Sequence, residues 1–209
     1  MSEEKLYYKL ILLGDTSVGK TSIFKKITKD KFDQDVISSI GIDKKTLNFT
    51  INTQEGEKQV EIILYDTAGQ ERFRSISISY FRESKGLFII YDTTNYESYK
   101  NVENWIKSIK DSLGNNNNYL IVLLGNKLDL IEENPQAREV EENEAKELCS
   151  NNKLLWGGEV SAKNFTAEQL KEKFRYFIEE IRKKVGDIIK KDDENIMINL
   201  NNTKKKGCC

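Results

Sequence analysis

The chain has 209 residues, of which 38% are hydrophobic, 33 are Lys or Arg and 34 are Asp or Glu, so its formal net charge is −1. This length predicts one domain with one sizeable core, and the balanced charge excludes a global field that would hold the protein on nucleic acid. The absence of histidine excludes Ser-His-Asp and Cys-His nucleophilic chemistry, and three cysteines, two of them terminal, exclude a disulfide framework and favour a reducing compartment.

The chain begins with an acidic segment, and its first apolar run is too short for a secretory signal or a transmembrane helix, so we expect synthesis in the cytosol. Five runs predict strands, and the last two are apolar nearly throughout, which is typical of strands covered on both faces. A polar, glycine-containing segment between the second and third runs predicts a hairpin. The predicted strands are 7–13, 45–52, 60–66, 86–92 and 119–126.

Apolar residues at helical spacing predict helices from Ser98 to Leu113 and around 170–181, and a further helix begins near Ser22. The alternation of strands and helices, with one hairpin, predicts an α/β sandwich around a mostly parallel sheet. The pattern ends near Gly186. We therefore predict one domain over residues 1–185 and a flexible tail over residues 186–209.

The first predicted strand runs directly into GDTSVGKT at residues 14–21, which fits the pattern G-x-x-x-x-G-K-[ST] and precedes a predicted helix. Glycines in such a loop let the backbone curl tightly, so that successive N–H groups can point at phosphate oxygens. Lys20 would reach the β and γ phosphates, and Thr21 offers a hydroxyl to Mg²⁺. A glycine-rich turn without a ligand is the alternative. The predicted nucleotide contacts in this loop are Gly14, Ser17, Val18, Gly19, Lys20, Thr21 and Ser22.

Three further motifs follow in a fixed order. YDTAGQ closes the third strand with Asp66, where a carboxylate on the Mg²⁺ side belongs, although Asp66 alone is also compatible with an ordinary strand-end cap. LLGNKLD ends the fifth strand in Asn-Lys-x-Asp, and EVSAK follows at residues 159–163. Asp129 can accept two N–H bonds from guanine that adenine cannot offer, so this side chain can exclude ATP. The order of the four motifs, more than any one of them, predicts a guanine-nucleotide site.

These motifs together resemble the Ras superfamily and, within it, the Rab family of small GTPases. The resemblance covers roughly residues 7–185 and includes SSIGID at 38–43 and DTAGQERFRSISISYFR at 66–82. It implies a P-loop GTPase domain with a mostly parallel six-stranded sheet, one antiparallel strand and helices on both faces. It also implies a GTP/GDP switch that hydrolyses GTP slowly, releases loops near 33–44 and 67–82 on hydrolysis, and regulates vesicle trafficking at membranes.

The resemblance assigns roles to residues around the base. Phe32 would pack edge-on against guanine. Lys127 and Lys163 would flank the base plane, and the Ala162 amide would meet the guanine O6. The other base-site residues carried over from the family motifs are Asn126, Asp129 and Ser161.

The resemblance also assigns roles near the γ-phosphate. Ser39 lies where the family has a switch threonine that binds Mg²⁺, and Gly69 lies where a backbone amide senses the γ-phosphate. Gln70 is where the family orients the attacking water, so Gln70 and Lys20 are the predicted catalytic residues. The predicted Mg²⁺ ligands are Thr21, Ser39 and Asp66.

Four positions depart from the family pattern. Ser39 keeps the hydroxyl of the switch threonine but lacks its methyl group, which should loosen the GTP-bound loop. Val36 replaces a tyrosine that closes over the phosphates. Lys44 and Tyr65 stand where partner-facing Phe and Trp are typical, so the identity of the effectors does not transfer from the family.

The chain ends TKKKGCC, which resembles the double geranylgeranylation signal of Rab proteins. One acyl chain gives marginal membrane affinity and two give stable anchoring, which Lys204 to Lys206 can assist on an anionic leaflet. We therefore predict lipidation of Cys208 and Cys209, with an exposed pair of redox thiols as the alternative. Ile198 and Leu200 resemble a motif that docks escort and GDP-dissociation-inhibitor proteins, and incidental apolar residues are the alternative there.

The resemblance implies regulators and partners as well. These are a guanine nucleotide exchange factor, a GTPase-activating protein, a GDP-dissociation inhibitor, an escort protein and GTP-dependent effectors, with no nucleic acid and a monomeric state. We expect the protein on the cytoplasmic face of endomembranes or the plasma membrane, with a cytosolic pool bound to GDP-dissociation inhibitor.

Two other functions are compatible with parts of the pattern. A module that binds guanine nucleotide constitutively and only scaffolds partners would not need Lys20, Asp66 and Gln70, and all three are present. A metabolic kinase could use the same phosphate loop, but NKLD and SAK point to guanine selection and no acceptor pocket is visible.

Overall fold

The computed structural model describes residues 5–28, 42–67, 81–114, 118–190 and 197–199. The strands are β1 Leu6–Leu13, β2 Ile42–Thr53, β3 Gly56–Thr67, β4 Gly86–Asp92, β5 Leu120–Asn126, β6 Leu155–Glu159, β7 Ile188–Lys190 and β8 Met197–Asn199. The helices are α1 Lys20–Thr28, α2 Tyr96–Leu113, α3 Leu128–Glu133, α4 Glu142–Asn152 and α5 Ala167–Val185, with a 3₁₀ turn at Pro135–Ala137.

The sheet has the order β2-β3-β1-β4-β5-β6 along its main path. β1 is parallel to β3 and β4, and β5 is parallel to β4 and β6, whereas β2 is antiparallel to β3. This confirms the predicted α/β class and the mostly parallel sheet with one antiparallel strand. Because parallel strands run in one direction, the segments that follow β1, β3, β4, β5 and β6 meet at one edge of the sheet.

Apolar cores lie on both faces of the sheet, as predicted. On one face α1 and α5 pack against the sheet, and the rings of Phe88 and Phe174 stack with centroids 4.9 Å apart. On the other face α2 and α4 bury Trp105 and Cys149. The α2 and α5 stripes follow the predicted helical spacing. The buried stripe residues are Val102, Trp105, Ile106 and Ile109 on α2 and Leu170, Phe174, Phe177, Ile178 and Ile181 on α5, while Tyr99 and Leu113 are half-buried.

Helix ends differ slightly from the sequence prediction because capping residues set them. α2 begins at Tyr96 rather than Ser98, since the Asn95 side chain accepts a hydrogen bond from the Ser98 amide. α5 begins at Ala167, where Thr166 and Gln169 form a reciprocal capping box. No helix in the described ranges combines the length and apolar character needed to span a membrane.

The described chain adds β7 and β8 to the six predicted strands, within the range predicted to be a flexible tail. Ile189 pairs antiparallel with Leu6 at the start of β1, and β8 pairs with β7. The Tyr8 hydroxyl donates to the Gly186 carbonyl at 2.9 Å, and Ile188 is 2% exposed. The first residues of the predicted tail are therefore packed on the domain, because a short apolar strand pairs with the start of β1 at Leu6, ahead of Leu10 where the pairing of β1 with β4 begins.

Three charged side chains reinforce this attachment, and we call them the tail clasp: Asp187, Arg182 and Lys58. Asp187 accepts hydrogen bonds from Arg182 Nε at 2.5 Å and from Lys58 Nζ at 2.9 Å. Burial raises the pKa of Asp187, but the hydrogen bonds from Arg182 and Lys58 outweigh burial and hold the pKa below its ordinary value. The clasp joins the β2–β3 hairpin, α5 and β7.

Candidate nucleotide-binding site

Four predicted motifs meet where the parallel strands end. The phosphate loop follows β1, Asp66 is the penultimate residue of β3, Asn126 ends β5, and Ser161 begins the turn after β6. Their proximity follows from the parallel sheet, since the carboxyl ends of its strands share an edge.

The phosphate loop is folded too tightly to accept side chains at two of its glycines. Gly14 has φ 133°, and a Cβ there would lie 2.2 Å from the Ile90 carbonyl oxygen. Gly19 has φ 99°, and a Cβ there would lie 2.1 Å from Asn126 Nδ2. Ser17 adopts a left-handed conformation with φ 65°. The loop therefore has the tight backbone path that a phosphate cradle requires.

Lys20 is 4% exposed at the start of α1. Its Nζ donates to the carbonyl oxygens of Gly14 at 2.9 Å and Asp15 at 2.5 Å. Burial lowers the pKa of Lys20 to about 8, although the carboxylates of Asp66 and Asp15 act to raise it. Among the described residues its direct partners are these neutral carbonyl oxygens, and a buried ammonium of this kind is suited to receive an anionic ligand.

Asp66 and Thr21 form the polar end of this cradle. Burial raises the pKa of the Asp66 carboxyl, and the neighbouring Thr21 hydroxyl and Lys20 ammonium act to lower it. Asp66 Oδ1 is buried and has no hydrogen-bond partner in the described part of the chain. A buried carboxylate oxygen beside a hydroxyl fits a hard, oxygen-seeking ion such as Mg²⁺. No cluster of three His, Cys, Asp or Glu side chains occurs among the described residues.

Asn126 connects the phosphate loop to the predicted base site. Its side chain is 1% exposed, and its Nδ2 donates to the Val18 carbonyl at 2.8 Å. Its Oδ1 accepts from the Ala162 amide at 3.1 Å. One amide group thus holds the phosphate loop and the turn after β6 in a fixed relation.

Asp129 is held by the same turn. It is 5% exposed, and the Ser161 hydroxyl donates to its Oδ1 at 2.6 Å. The Lys163 ammonium lies 3.8 Å from Asp129 Oδ2 and 3.0 Å from Glu133 Oε1. The Ser161 bond fixes the plane of the carboxylate and leaves a lone pair on each oxygen, so both oxygens can accept one of the two N–H bonds that base recognition requires.

Comparison with known proteins identifies the family. The sequence matches the Ras family over residues 9–183. The chain belongs to the Ras family.

Curated relatives place it more finely. It is 35% identical to the GTP-binding protein YPT52 of Saccharomyces cerevisiae, over 90% of this chain and 85% of the relative. It is 39% identical to Rab-13 of Rattus norvegicus over 75% of this chain and 72% of the relative. It is 35% identical to Rab-8B of Dictyostelium discoideum over 96% of this chain and 92% of the relative. The protein is a Rab-like small GTPase that acts in vesicle trafficking, which confirms the family and activity predicted from the motifs.

The structure of this Rab-like GTPase adds Asp92, which sequence reasoning missed. Asp92 ends β4, and its Oδ1 accepts from the amide and hydroxyl of Thr94 at 2.9 Å and 2.7 Å. Its Oδ2 lies 2.6 Å from Lys127 Nζ. Lys127 itself has a left-handed backbone with φ 69°. Asp92 thus fixes a lysine predicted to flank the base. The sequence did contain a signal for Asp92, because the predicted strand GLFIIYD ends in Asp, as VEIILYD does.

Asp15 is the second residue of the GTPase site that sequence reasoning missed. Its carboxylate accepts from Asn101 Nδ2 at 2.6 Å and from Trp105 Nε1 at 2.9 Å, both on α2. The same residue's carbonyl oxygen accepts from Lys20. Asp15 therefore ties the phosphate loop to a helix of the opposite core.

The remaining predicted positions of the GTPase do not all lie in the described ranges. Ser22 and Thr21 are exposed at the first turn of α1, beside the phosphate loop. Six of the predicted site residues lie outside the described residues: Phe32, Ser39, Gly69, Gln70, Cys208 and Cys209. Val36, Leu200 and Lys204 to Lys206 lie outside them as well.

Proposed function

We propose that this GTPase selects guanine through Asp129 and holds the nucleotide phosphates with the loop around Lys20. The observation that carries the proposal is the Asn126 side chain, which bonds both the phosphate loop and the turn behind Asp129. Because both recognition segments share one rigid support, a nucleotide is bound at its base and its phosphates together. This supports a guanine nucleotide as the ligand.

For hydrolysis, we propose that Gln70 orients the attacking water and that Lys20 stabilises the charge that develops on the phosphate oxygens. Lys20 is suited to this because it is buried and already fixed by two carbonyl oxygens. Thr21, Asp66 and Ser39 would hold Mg²⁺, which when bound would supply positive charge between the phosphates. The products are GDP and phosphate.

Exchange of Asp129 for Asn tests base selection. The variant should bind GDP more weakly and admit xanthine nucleotides, whose C2 carbonyl suits an amide donor. Equilibrium binding of GDP, XDP and ADP would be measured, with Asp111→Asn on the exposed surface of α2 as the matched control. Equal affinity of the parent protein for ADP and GDP would end the assignment.

Exchange of Gln70 for Leu tests the chemical step separately. Bound GTP should persist in single-turnover assays while nucleotide affinity changes little, because the phosphate cradle is unchanged. Hydrolysis at the parent rate, with and without an activating protein, would remove Gln70 from the mechanism.

For the tail, we propose that Cys208 and Cys209 carry prenyl groups that anchor the protein on cytoplasmic membrane faces. Residues 1–185 would form the GTPase domain and 186–209 the tail that carries the anchor, with an exchange factor, an activating protein and a GDP-dissociation inhibitor and escort protein as regulators. Mass spectrometry of native protein should find two prenyl groups. Cys208→Ser with Cys209→Ser should leave the protein off membranes, and persistent sedimentation with membranes would contradict the anchor.

A further inference from the structure

The tail leaves the domain at the end of the sheet where β1 begins. The tail clasp and the pairing of β7 with Leu6 fix this exit point. Cys208 lies 18 positions beyond Lys190, and a chain of that length spans at most about 60 Å. β8 pairs back onto β7, which leaves nine residues from Asn199 to Cys208 and a reach of at most about 30 Å.

A cleft of about 530 Å³ opens at the same end of the molecule. It lies where α2, α4 and α5 end and where β5 and β6 begin. Its lining includes Lys110, Lys153 and Lys184 from the three helix ends and Leu120 from the start of β5.

The cleft is positively charged. Lys110, Lys153 and Lys184 are exposed, and none of their side chains forms a salt bridge within the described ranges. None of the described residues that line the cleft is acidic. Each lysine complements the carboxyl end of a helix, which accounts for one cation per helix. The helix dipoles do not explain why three cations surround one cleft beside the point where the tail leaves the domain.

The nucleotide site lies at the opposite end of the sheet. β5 runs from Leu120 in the cleft to Asn126 in the nucleotide site, and its seven residues span about 20 Å. A surface that rests on the cleft would therefore leave the nucleotide site facing away from it.

We propose that this basic cleft rests on the anionic headgroups of the membrane that the tail anchors. The inference rests on the proposed lipid anchor, which brings this end of the domain within reach of the bilayer. Lysine ammonium groups are point charges that attract phosphate and carboxylate headgroups without a fixed geometry. The GTPase domain would thus hold one orientation, with its nucleotide site towards the cytosol.

The test measures vesicle binding of the full chain through a weak, chemically attached anchor. In a Cys209→Ser background, a single myristoyl-maleimide is coupled to Cys208, because one such chain binds membranes reversibly. Cys149 will not compete, since it is 3% exposed and burial raises the pKa of its thiol to about 12. The cleft variant carries Lys110→Gln, Lys153→Gln and Lys184→Gln.

On vesicles with about 30% phosphatidylserine, the cleft variant should bind about 100-fold more weakly than the parent, since each surface lysine contributes about fivefold. On neutral phosphatidylcholine vesicles the two should bind alike. About 500 mM salt should remove the difference on anionic vesicles. The matched control, Lys44→Gln with Lys100→Gln and Lys146→Gln, removes the same charge from other exposed positions and should lose less than about threefold.

An equal loss in the cleft variant and the control would overturn the proposal, as would a loss that persists on neutral vesicles. The rate of GDP release checks folding, and it should be the same for the cleft variant and the parent. Because the lipid is attached chemically, the result does not depend on cellular prenylation. Failure of the prenyl anchor would appear separately, in the mass spectrum of native protein.

Discussion

Asp15→Ala should loosen the phosphate loop and destabilise the domain. The substitution removes the acceptors for Trp105 Nε1 and Asn101 Nδ2, which lie 2.9 Å and 2.6 Å from the Asp15 carboxylate. A hydrogen bond to a charged group contributes about 1.5 kcal/mol or more, so the loss of two costs about 3 kcal/mol. For a domain of this size, that lowers Tm by about 6–12 °C. GDP should also dissociate faster, because Lys20 bonds the Asp15 carbonyl oxygen and a loosened loop no longer holds that oxygen in place.

The assay is thermal unfolding at saturating GDP, combined with GDP dissociation rates, for a double-mutant cycle. Trp105→Phe removes the indole N–H together with part of the buried ring, and the cycle cancels this packing loss, so the coupling between Asp15→Ala and Trp105→Phe should be about 1.5 kcal/mol. Asp111→Ala on the exposed face of the same helix is the control and should change Tm little. A Tm for Asp15→Ala within about 2 °C of the parent, or coupling below about 0.3 kcal/mol, would refute the reasoning.

Three further substitutions test other contacts. Asp92→Asn removes the charge that holds Lys127, so GDP release, followed with a fluorescent nucleotide, should accelerate about tenfold; an unchanged rate would exclude this role. Gly19→Ala places a Cβ 2.1 Å from Asn126 Nδ2, and calorimetry should detect at least about 100-fold weaker GDP binding; parent-like affinity would show that the loop relaxes. Asp187→Asn should lower Tm by about 2–4 °C at neutral pH. Because the folded-state pKa of Asp187 is depressed, its stabilisation is present above the ordinary Asp pKa and lost as pH falls through the lowered value; a Tm difference that stays constant between about pH 6 and pH 3 would contradict this.

The sequence predicted the strands and loops whose residue pattern lies within the element itself. β4 is buried at every position, so its apolar run was sufficient to identify it. The phosphate loop was identified because its glycines, lysine and threonine stand at fixed spacing. The positions of Asp66, Asn126 and Asp129 followed from strand ends, and the structure places their motifs along one edge of the sheet.

Elements that depend on distant partners were not located from their own residues, although the family resemblance implied a sixth strand. β6 is five residues long, contains two glycines and has no clear alternation, so its pairing with β5 decides its conformation. α4 buries only Ala145 and Cys149, which gives no apolar stripe. The hydrogen bond from Trp105 to Asp15 spans 90 residues of sequence, and no rule based on short-range residue spacing predicts such a contact. Asp92 is different, because its position at the end of an apolar strand was visible in the sequence and was not used to predict a site residue.

The bonds of Asn126 limit how this protein can change in evolution or engineering. Asp129 has its own support in Ser161, so base preference can drift without disturbing the phosphates. Asn126 offers no such independence, since one side chain serves Val18 and Ala162 at once. A replacement side chain that keeps the hydrogen bond to one of these residues loses the bond to the other. Useful variants at this position therefore require compensating changes in both loops. Laboratory selection for altered nucleotides should therefore accumulate substitutions around Asp129 and leave Asn126 unchanged.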